Sequence, residues 1–592
     1  MEKKYANEQN VLLLVALLKA HGIKRVIASP GTTNLSFVAS LQYDSFFEMY
    51  SCVDERSAAY MAVGMAAETN EPVVITCTGA TASRNYLSAL TEAYYRKLPI
   101  LVVTGTQNPE RIGQLHSQLI DRRVAQNDVL VSSYMIDAVR DMWDSYFCQL
   151  KINQAIDDLT KNGGGPVHIN LKTGYTWDFS VAELPEVKIM KRIGYDNIQS
   201  APSLPNGRIG IFVGSHNTFT PELTDAIDDF CSSCNAVVFC DHTSGYYGKY
   251  KVNFSLVTIQ KQALYDLCEL DLCIHIGEIS AEYGCLSDHL QKKEVWRVSP
   301  DGIIRDQFTK LTYLFNLNEA DFFRFYTSEI SDRSNSYYLQ CKDLYATILS
   351  KMPDIPFSNV WVASILAPKL PQGSCLHLGI LNSTRTWNMF ELPETVTSFA
   401  NVGGFGIDGG VSSLIGASFV HKSKLYFGVV GDLAFFYDMN SLGNHHIKAN
   451  VRLLVVNNGR GTEFRNFYHV GSTFGDDADK FIAAGGHFGN KSKDLVRHFA
   501  EDLGFEYITA SSKDEFLRQY QKFINPEIGD KPILFEIFTD SKDESDAIER
   551  MWNIDTNAKG VSSVKSAKLN STIRSIVGRR GIQIIKMIMG RK

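Results

Sequence analysis

Residues 424–464 read KLYFGVVGDLAFFYDMNSLGNHHIKANVRLLVVNNGRGTEF and contain two apolar stretches of β type on either side of a helical segment. The first stretch, 425–430, ends in Gly431–Asp432, and the second, 451–456, ends in Asn457–Asn458–Gly459. Apolar runs of this length that are separated by a helix are typical of parallel strands buried on both faces. The segment therefore predicts neighbouring strands of an α/β sheet.

The polar residues at the ends of these two strands form a candidate ligand site. Ligands of parallel α/β sheets bind at the carboxyl ends of the strands. Asp432 and Asn458, 26 positions apart, place a carboxylate and a carboxamide there, and Mg²⁺ accepts such oxygens beside phosphates. Gly431 allows the backbone to approach a phosphate, and a helix N-terminus adds a favourable dipole. An aspartate after a strand is ordinary by itself, so the prediction depends on the pair.

This pair resembles the diphosphate-anchoring motif of thiamin-diphosphate-dependent enzymes of the acetolactate synthase and pyruvate decarboxylase type. The resemblance implies that thiamin diphosphate binds through Mg²⁺, which is held by Asp432, Asn458 and the backbone carbonyl of Arg460. The third position of the motif is usually glycine and is Leu433 here, as in one branch of the family. Gly431 and Leu433 are therefore expected beside the diphosphate.

The resemblance extends to a block near the N-terminus. Glu55 follows a predicted strand and begins a helix rich in Ala, Gly and Met; a glutamate in this position often only complements the helix dipole. The block resembles the pyrimidine-binding domain of the family, which implies that Glu55 bonds N1′ of the aminopyrimidine. Protonation at N1′ favours the imino tautomer, which removes the C2 proton of the thiazolium ring. Gly31 and Thr78, in turns after neighbouring predicted strands, are expected at the cofactor.

The amino-acid composition and net charge limit the classes of protein to which this chain can belong. The chain has 592 residues, of which 44% are hydrophobic and 21% charged, and its net charge is −6. These values are typical of a globular protein with several domains and give no reason to expect nucleic acid. The sequence contains no signal peptide and no apolar run of 18 residues, so a cytoplasmic location is expected.

Alternating β and α patterns with short glycine turns predict an α/β fold of three doubly wound parallel-sheet domains. The predicted boundaries are 1–185 for a pyrimidine-binding domain, 186–355 for a middle domain, 356–545 for a diphosphate-binding domain and 546–592 for a basic amphipathic tail. No phosphate-binding fingerprint occurs in the middle domain, which is interpreted as a spacer; whether it binds a nucleotide stays open.

Residues 376–464 most resemble one family branch, the menaquinone-pathway synthase that joins decarboxylated 2-oxoglutarate to isochorismate. The resemblance implies that Ile407 wedges the cofactor into its V shape and that Ser383 lies beside it. The branch binds its carboxylated substrates with arginines. Three of those positions are Thr33, Gln107 and Val402 here, and a fourth arginine is shifted to Arg385. Since each lost charged contact is worth roughly 1.5–3 kcal/mol, the chain is interpreted as a paralogue with a different acceptor.

The remaining polar residues give the candidate substrate and proton-transfer groups. Thr33, His116, Gln118 and Arg385 are the candidates for substrate contact, and Gln118 and Glu463 are the candidates for proton transfer. Gln118 falls on a glutamine that the family directs at the reacting centre, whereas Glu463 lies one position before an acidic residue of some decarboxylases. For each of them, an ordinary loop residue with satisfied hydrogen bonds is an equally open interpretation.

The predicted activity is thiamin-diphosphate-dependent decarboxylation of a 2-oxo acid with transfer of the acyl anion to an acceptor. This would be a carboligase, a transferase or lyase. Simple 2-oxo acid decarboxylation and a non-catalytic, cofactor-binding scaffold stay open. The resemblance implies a homodimer, or a tetramer, with the cofactor between domains of two subunits.

The C-terminal tail has a pattern of its own. Residues 559–592 contain nine Lys or Arg and no acidic residue, with apolar positions at helical spacing. A basic amphipathic helix of this kind can lie on an anionic membrane surface, here the inner face of the membrane. A disordered basic end and a partner-binding helix are the other interpretations.

Overall fold

The structure is a computed structural model that describes residues 4–121, 126–260, 265–281, 286, 289–327, 335–487 and 491–555. Strands and helices alternate along most of this range. The strands are β1 (Arg25–Ala28), β2 (Glu48–Ser51), β3 (Val73–Cys77), β4 (Ile100–Thr106), β5 (Ser132–Ile136), β6 (Val167–Lys172), β7 (Lys191–Gly194), β8 (Ile209–Val213), β9 (Val237–Cys240), β10 (Lys251–Asn253), β11 (Glu269–Ile276), β12 (Gln291–Val298), β13 (Leu311–Asn316), β14 (Cys375–Leu378), β15 (Thr397–Ala400), β16 (Tyr426–Gly431), β17 (Val451–Asn457), β18 (Glu506–Ala510) and β19 (Ile533–Phe538).

The α-helices are α1 (Gln9–Ala20), α2 (Leu35–Gln42), α3 (Glu55–Thr69), α4 (Ala80–Asn85), α5 (Leu87–Tyr95), α6 (Met142–Asp158), α7 (Pro221–Cys234), α8 (Ser255–Thr258), α9 (Glu319–Thr327), α10 (Ser336–Ser350), α11 (Asn359–Leu366), α12 (Asn382–Trp387), α13 (Gly410–Ser418), α14 (Asp432–Asp438), α15 (Ala478–Phe481), α16 (Leu495–Asp502), α17 (Lys513–Phe523) and α18 (Ser541–Met551). None of the helices within these described ranges is long and apolar enough to cross a membrane.

The described residues fold into two compact units. The first unit comprises residues up to 201 together with 299–317. Its main sheet is parallel and has the strand order β2-β1-β3-β4-β6-β5, and β7 pairs in parallel with β13. Successive residues of a strand point to opposite faces, so Val26 of β1 packs in a core with α1 and α6, and Ile27 packs in a core with α3 and α5. Helices on both faces make this sheet doubly wound.

The second unit comprises residues 202–298 and those from 318 onwards. Strands β8 to β12 lie in the order β10-β9-β8-β11-β12, and a further parallel sheet has the order β15-β14-β16-β17-β19-β18. Within this sheet β16 and β17 are neighbours in parallel register, with Gly431 opposite Val456. Both strands are almost fully buried because they lie inside the sheet. The prediction of an α/β protein built on three parallel sheets is confirmed.

Some details differ from the sequence-based expectations. Several strands were not predicted, among them β5, whose residues SSYMI contain only a short apolar run and which lies half-buried at the edge of its sheet. Helix α18 continues past the predicted boundary at 545 to Met551. The boundaries at 185 and 355 stay predictions, and the basic segment 559–592 lies outside the described residues.

Candidate active site

Asp432 lies at the carboxyl end of β16, where it begins helix α14. Its side chain is only 4% exposed. Oδ1 accepts a hydrogen bond from the Leu433 amide at 2.9 Å, and Oδ2 accepts one from the Gly459 amide at 2.7 Å. These bonds join the ends of β16 and β17 and fix the orientation of the carboxylate. Burial raises the pKa of Asp432 to about 7, although the two amide donors act in the opposite direction.

Asn458, at the end of β17, faces the same space. Its Oδ1 atom is buried and accepts no hydrogen bond from the part of the chain that the structure describes. A buried acceptor without a donor costs roughly 1–3 kcal/mol. A cation bound beside Asp432 would satisfy this oxygen, and a carboxylate with an amide oxygen is a donor set that Mg²⁺ accepts when phosphate oxygens complete the coordination. The residues therefore fit a divalent ion with a bound diphosphate.

The residues predicted for the diphosphate half of the cofactor line one cleft, which we call the Asp432 cleft. Its empty volume, including the part open to solvent, is about 680 Å³. The predicted residues in its wall are Ser383, Ile407, Gly431, Asp432, Leu433, Asn458, Arg460 and Glu463. A Cβ atom added at Gly431 would meet no atom within 4 Å, so the backbone here borders open space. The Arg460 side chain is paired with Asp479 at 2.6 Å, which leaves its backbone carbonyl as the candidate ligand.

Arg385 and Glu463 are brought together as an ion pair. The Arg385 guanidinium lies 2.6 Å from Glu463 Oε2, and both side chains are largely buried. Tyr468 donates its hydroxyl to the same carboxylate oxygen at 3.0 Å, and its ring lies under the guanidinium. The positive charge of Arg385 is therefore balanced within the protein. Glu463 faces the cleft as a hydrogen-bonded carboxylate.

Glu544 is a carboxyl group of this cleft that the sequence did not indicate. It lies in the first turn of α18, is 3% exposed and accepts hydrogen bonds from the Asn359 amide and the Thr539 hydroxyl. Burial raises its pKa to about 7. An acidic residue in the first turn of a helix usually faces solvent and complements the dipole, so only the packing of α18 reveals that this one points inward.

The residues predicted for the pyrimidine half lie in the first unit, at the carboxyl ends of β1, β2 and β3. Glu55 begins α3, after Asp54 has capped the helix by accepting a hydrogen bond from the Ser57 amide at 3.1 Å. The Glu55 carboxylate is half-buried and accepts a hydrogen bond from Asn85 Nδ2 at 3.4 Å. A Cβ atom added at Gly31 would lie 1.9 Å from the Thr78 methyl group. Gly31 and Thr78 are therefore in contact, and their role at the cofactor stays a prediction.

The predicted substrate residues of the first unit line a second cavity, the Thr33 cleft. Thr33, His116 and Gln118 all contribute to its wall, and its empty volume is about 670 Å³. Thr33 Oγ1 donates to the Gly105 carbonyl at 3.0 Å, which holds the loop after β1 against the end of β4. Gln118 has a left-handed backbone with φ of 64°, and this conformation sets the direction in which its amide leaves the loop.

Arg111 also lines the Thr33 cleft, beside Gln107, and was not among the predicted residues. It forms no ion pair and donates no side-chain hydrogen bond to the residues that the structure describes. A single arginine in a polar loop carries no signal in the sequence. Its place in the wall of a cavity emerges only when the chain folds.

Comparison with known proteins identifies the family. The family described as thiamine pyrophosphate enzyme, N-terminal TPP binding domain, matches residues 11–126. A 2-succinyl-5-enolpyruvyl-6-hydroxy-3-cyclohexene-1-carboxylate synthase of Bacteroides fragilis is 30% identical over 564 residues, which cover 91% of this chain and 98% of the relative. The chain belongs to the thiamine pyrophosphate enzyme family. Synthases of the same name from Phocaeicola vulgatus and Flavobacterium psychrophilum are 28% and 24% identical, over 93% and 89% of this chain.

As a thiamine pyrophosphate enzyme, the protein is a transferase or lyase that acts on carbon–carbon bonds. The family implies thiamin diphosphate as its cofactor. The interpretation of the sequence as an enzyme of this family that is similar to the synthase branch is confirmed.

Proposed function

We propose that this protein is a Mg²⁺-dependent carboligase that decarboxylates a 2-oxo acid and transfers the acyl anion to an acceptor. The observation that carries the proposal is the pairing of the buried Asp432 carboxylate with the unsatisfied Asn458 Oδ1 in one cleft. The names of the relatives describe synthases of a succinylated cyclohexene carboxylate. That name supports formation of a carbon–carbon bond as the second step.

Each group of the chain has a defined part in this chemistry. When bound, thiamin diphosphate supplies the carbon nucleophile for the 2-oxo carbonyl and takes up the electron pair released with CO₂. Asp432, Asn458 and the Arg460 carbonyl would hold Mg²⁺, and Gly431, Leu433 and Ser383 would border the diphosphate. Glu55 would hold a proton at N1′ of the pyrimidine, and Ile407 would pack against the cofactor. Glu463 and Gln118 would move a proton to the acceptor atom on which negative charge develops as the carbon–carbon bond forms or, in simple decarboxylation, to the donor carbon that loses CO₂.

The acceptor differs from that of the synthase branch. Val402, at one of the positions where that branch has arginine, is only 5% exposed, so a guanidinium would not fit there without rearrangement. Thr33 and Gln107 present neutral groups in the Thr33 cleft. The three changes together remove positive charge that would pair with carboxylates, so an acceptor with fewer carboxylates is proposed.

Arg111 supplies a carboxylate contact in this cleft. Its guanidinium forms no close ion pair with the described residues, whereas Arg385 is already paired with Glu463. With saturating cofactor, Arg111→Gln should raise the KM for the carboxylate-bearing substrate roughly tenfold or more and leave kcat nearly unchanged. Arg140→Gln, which removes a surface arginine paired with Asp144, is the matched control. A lowered kcat at unchanged KM would remove Arg111 from substrate binding.

A screen for CO₂ release tests the proposed reaction. Purified enzyme with thiamin diphosphate and Mg²⁺ is incubated with pyruvate, 2-oxobutanoate, 2-oxoglutarate and phenylpyruvate, and then with sugars, enones and isochorismate. Mass spectrometry should find a product whose mass is that of the acceptor plus the donor less CO₂, and Glu55→Gln should abolish it. Release of only an aldehyde would favour simple decarboxylation. No CO₂ from any acid, by enzyme that binds the cofactor, would contradict the proposal.

We further propose a homodimer, which can pair into a tetramer, with no nucleic-acid partner. The expected cytoplasmic location and the contact of segment 559–592 with the inner membrane face stay predictions. Sedimentation with anionic liposomes tests the membrane contact. If the tail makes it, the full chain sediments and a chain ending at Asn557 does not.

A further inference from the structure

The second unit contains another cavity, which we call the Lys251 cleft. It is bounded by β10, helix α10 and the segment after α12, and its empty volume, including the part open to solvent, is about 840 Å³. None of its lining residues lines the Asp432 cleft. The Lys251 cleft is therefore separate from the candidate active site and has no part in the proposed reaction.

Lys251 projects from β10 into this cleft and forms no close ion pair with the residues that the structure describes. Its ammonium group lies 4.6 Å from the centre of the Tyr247 ring, and it forms neither an ion pair nor a hydrogen bond with the residues that the structure describes. Lys342, in the same wall, is by contrast paired with Glu391 at 2.5 Å. Burial lowers the pKa of Lys251, although the carboxylates of Glu391 and Asp241 act in the opposite direction.

Asn253 lies two residues further along β10, so its side chain lies on the same face of the strand as Lys251. It is 3% exposed, and its Nδ2 donates to the Phe390 carbonyl at 3.2 Å. Its Oδ1 is buried and receives no hydrogen bond from the described part of the chain. Among the described residues, one wall of the cleft thus offers an ammonium group that lacks an acceptor and an amide oxygen that lacks a donor.

The charges of the cleft define the ligand further. Among the residues that line the cleft, three lysines (Lys249, Lys251 and Lys342) face two glutamates (Glu391 and Glu394), which leaves a formal charge of +1 on the lining itself. His242 adds none at neutral pH, because burial lowers its pKa to about 3. A ligand with a single negative charge would make the cleft neutral, whereas a phosphate dianion would leave it negative.

We propose that the Lys251 cleft binds a small organic monoanion that carries one carboxylate and one hydroxyl group. The carboxylate pairs with the Lys251 ammonium, and the hydroxyl donates to Asn253 Oδ1. The rings of Tyr247 and Tyr338, with the Leu392 and Pro393 side chains, border the same space and suit an apolar or aromatic body between the two polar groups. This site is additional to the substrate and cofactor sites of the proposed function.

Calorimetry with matched probes tests the assignment on the full-length, cofactor-loaded enzyme. The probes are 4-hydroxybenzoate, benzoate, phenol and inorganic phosphate. We expect 4-hydroxybenzoate to bind, benzoate to bind roughly fivefold more weakly because it lacks the hydroxyl, and phenol to bind at least tenfold more weakly because it lacks the charge. Phosphate binding that is tighter than that of 4-hydroxybenzoate would overturn the carboxylate assignment.

Variants locate the binding. Lys251→Met keeps the length and apolar stem of the side chain and removes its charge, so it should weaken 4-hydroxybenzoate at least tenfold, and Lys251→Arg should restore part of the affinity. Lys351→Met, which removes an exposed lysine at the end of α10, is the control and should bind as the unaltered enzyme does. Circular dichroism verifies that each variant is folded. Absence of binding by every probe, or equal binding by folded Lys251→Met, would overturn the proposal.

Discussion

Glu544 and Asp432 are both buried carboxyl groups in the wall of the Asp432 cleft, and burial raises the pKa of each to about 7. A carboxylate deprived of water is stabilised only by the hydrogen bonds or cations that the protein provides. Asp432 receives two amide donors and, in the proposed holoenzyme, Mg²⁺. Among the described residues, Glu544 receives donors only from Asn359 and Thr539, so its ionisation has a direct cost in stability.

The pH dependence of stability should report this cost in the cofactor-free enzyme. The pKa of Glu544 is raised from 4.5 to about 7, so the folded state binds more protons than the unfolded state between these values. The contribution of Glu544 to the free energy of unfolding is therefore complete below about pH 4.5 and is lost as the pH rises through 7. Glu544→Gln stays neutral and should flatten the decline in the free energy of unfolding between pH 5 and 8 by about 3 kcal/mol.

Urea unfolding at several pH values measures the effect, and Glu549→Gln, an exposed position on the same helix α18, is the matched control. Curves for Glu544→Gln and the unaltered enzyme that fall in parallel over this range would show that Glu544 is not the group responsible.

At the scale of secondary-structure elements, the sequence predicted the strands that have a distinctive local pattern of apolar residues. Strands β16 and β17 are long apolar runs that end in polar residues, and they lie within one residue of their predicted bounds. Glu544 and Arg111 were not predicted as site residues, because no local sequence pattern marks them. Their positions depend on how α18 and the loop after β4 pack, and neither the residue type nor its spacing encodes that. Alternation of strands and helices thus predicted the sheets, whereas part of each cleft wall became visible only in three dimensions.

The end of β4 provides a test of how closely these elements approach one another. A Cβ atom added at Gly105 would lie 2.0 Å from the Thr33 carbonyl oxygen, and this backbone cannot move without displacing the Thr33 cleft wall. Gly105→Ala should therefore lower the free energy of unfolding by about 1–3 kcal/mol. Gly416→Ala, in helix α13 where an added Cβ meets no atom within 4 Å, should raise it by about 0.5–1 kcal/mol. Thermal unfolding measures both, and an equally stable Gly105→Ala would contradict the close approach.

At the scale of the whole molecule, the two halves of the proposed site belong to different units of the chain, with Glu55 in one and Asp432 in the other. The proposed homodimer assembles each site from the first unit of one subunit and the second unit of its partner. Glu55→Gln and Asp432→Ala chains should each be inactive alone. Co-expression should restore activity, because a mixed dimer contains one intact site.

Differently tagged chains allow the mixed dimer to be isolated and assayed. Recovery of up to about half of the normal activity per dimer is expected, since one of its two sites is intact. An inactive mixed dimer with normal stability would show that each chain builds its own site.

The central claim is that Asp432 and Asn458 anchor thiamin diphosphate through a divalent ion, and calorimetry of cofactor binding tests it most directly. The unaltered enzyme should bind thiamin diphosphate in the presence of Mg²⁺ and lose binding when EDTA is added. Asp432→Asn, which keeps a side-chain hydrogen-bond acceptor but removes the charge, should weaken binding at least tenfold, since a charged contact is worth roughly 1.5–3 kcal/mol. The exposed-site control Asp530→Ala should bind normally. Unchanged affinity in folded Asp432→Asn, or binding that resists EDTA, would contradict the account.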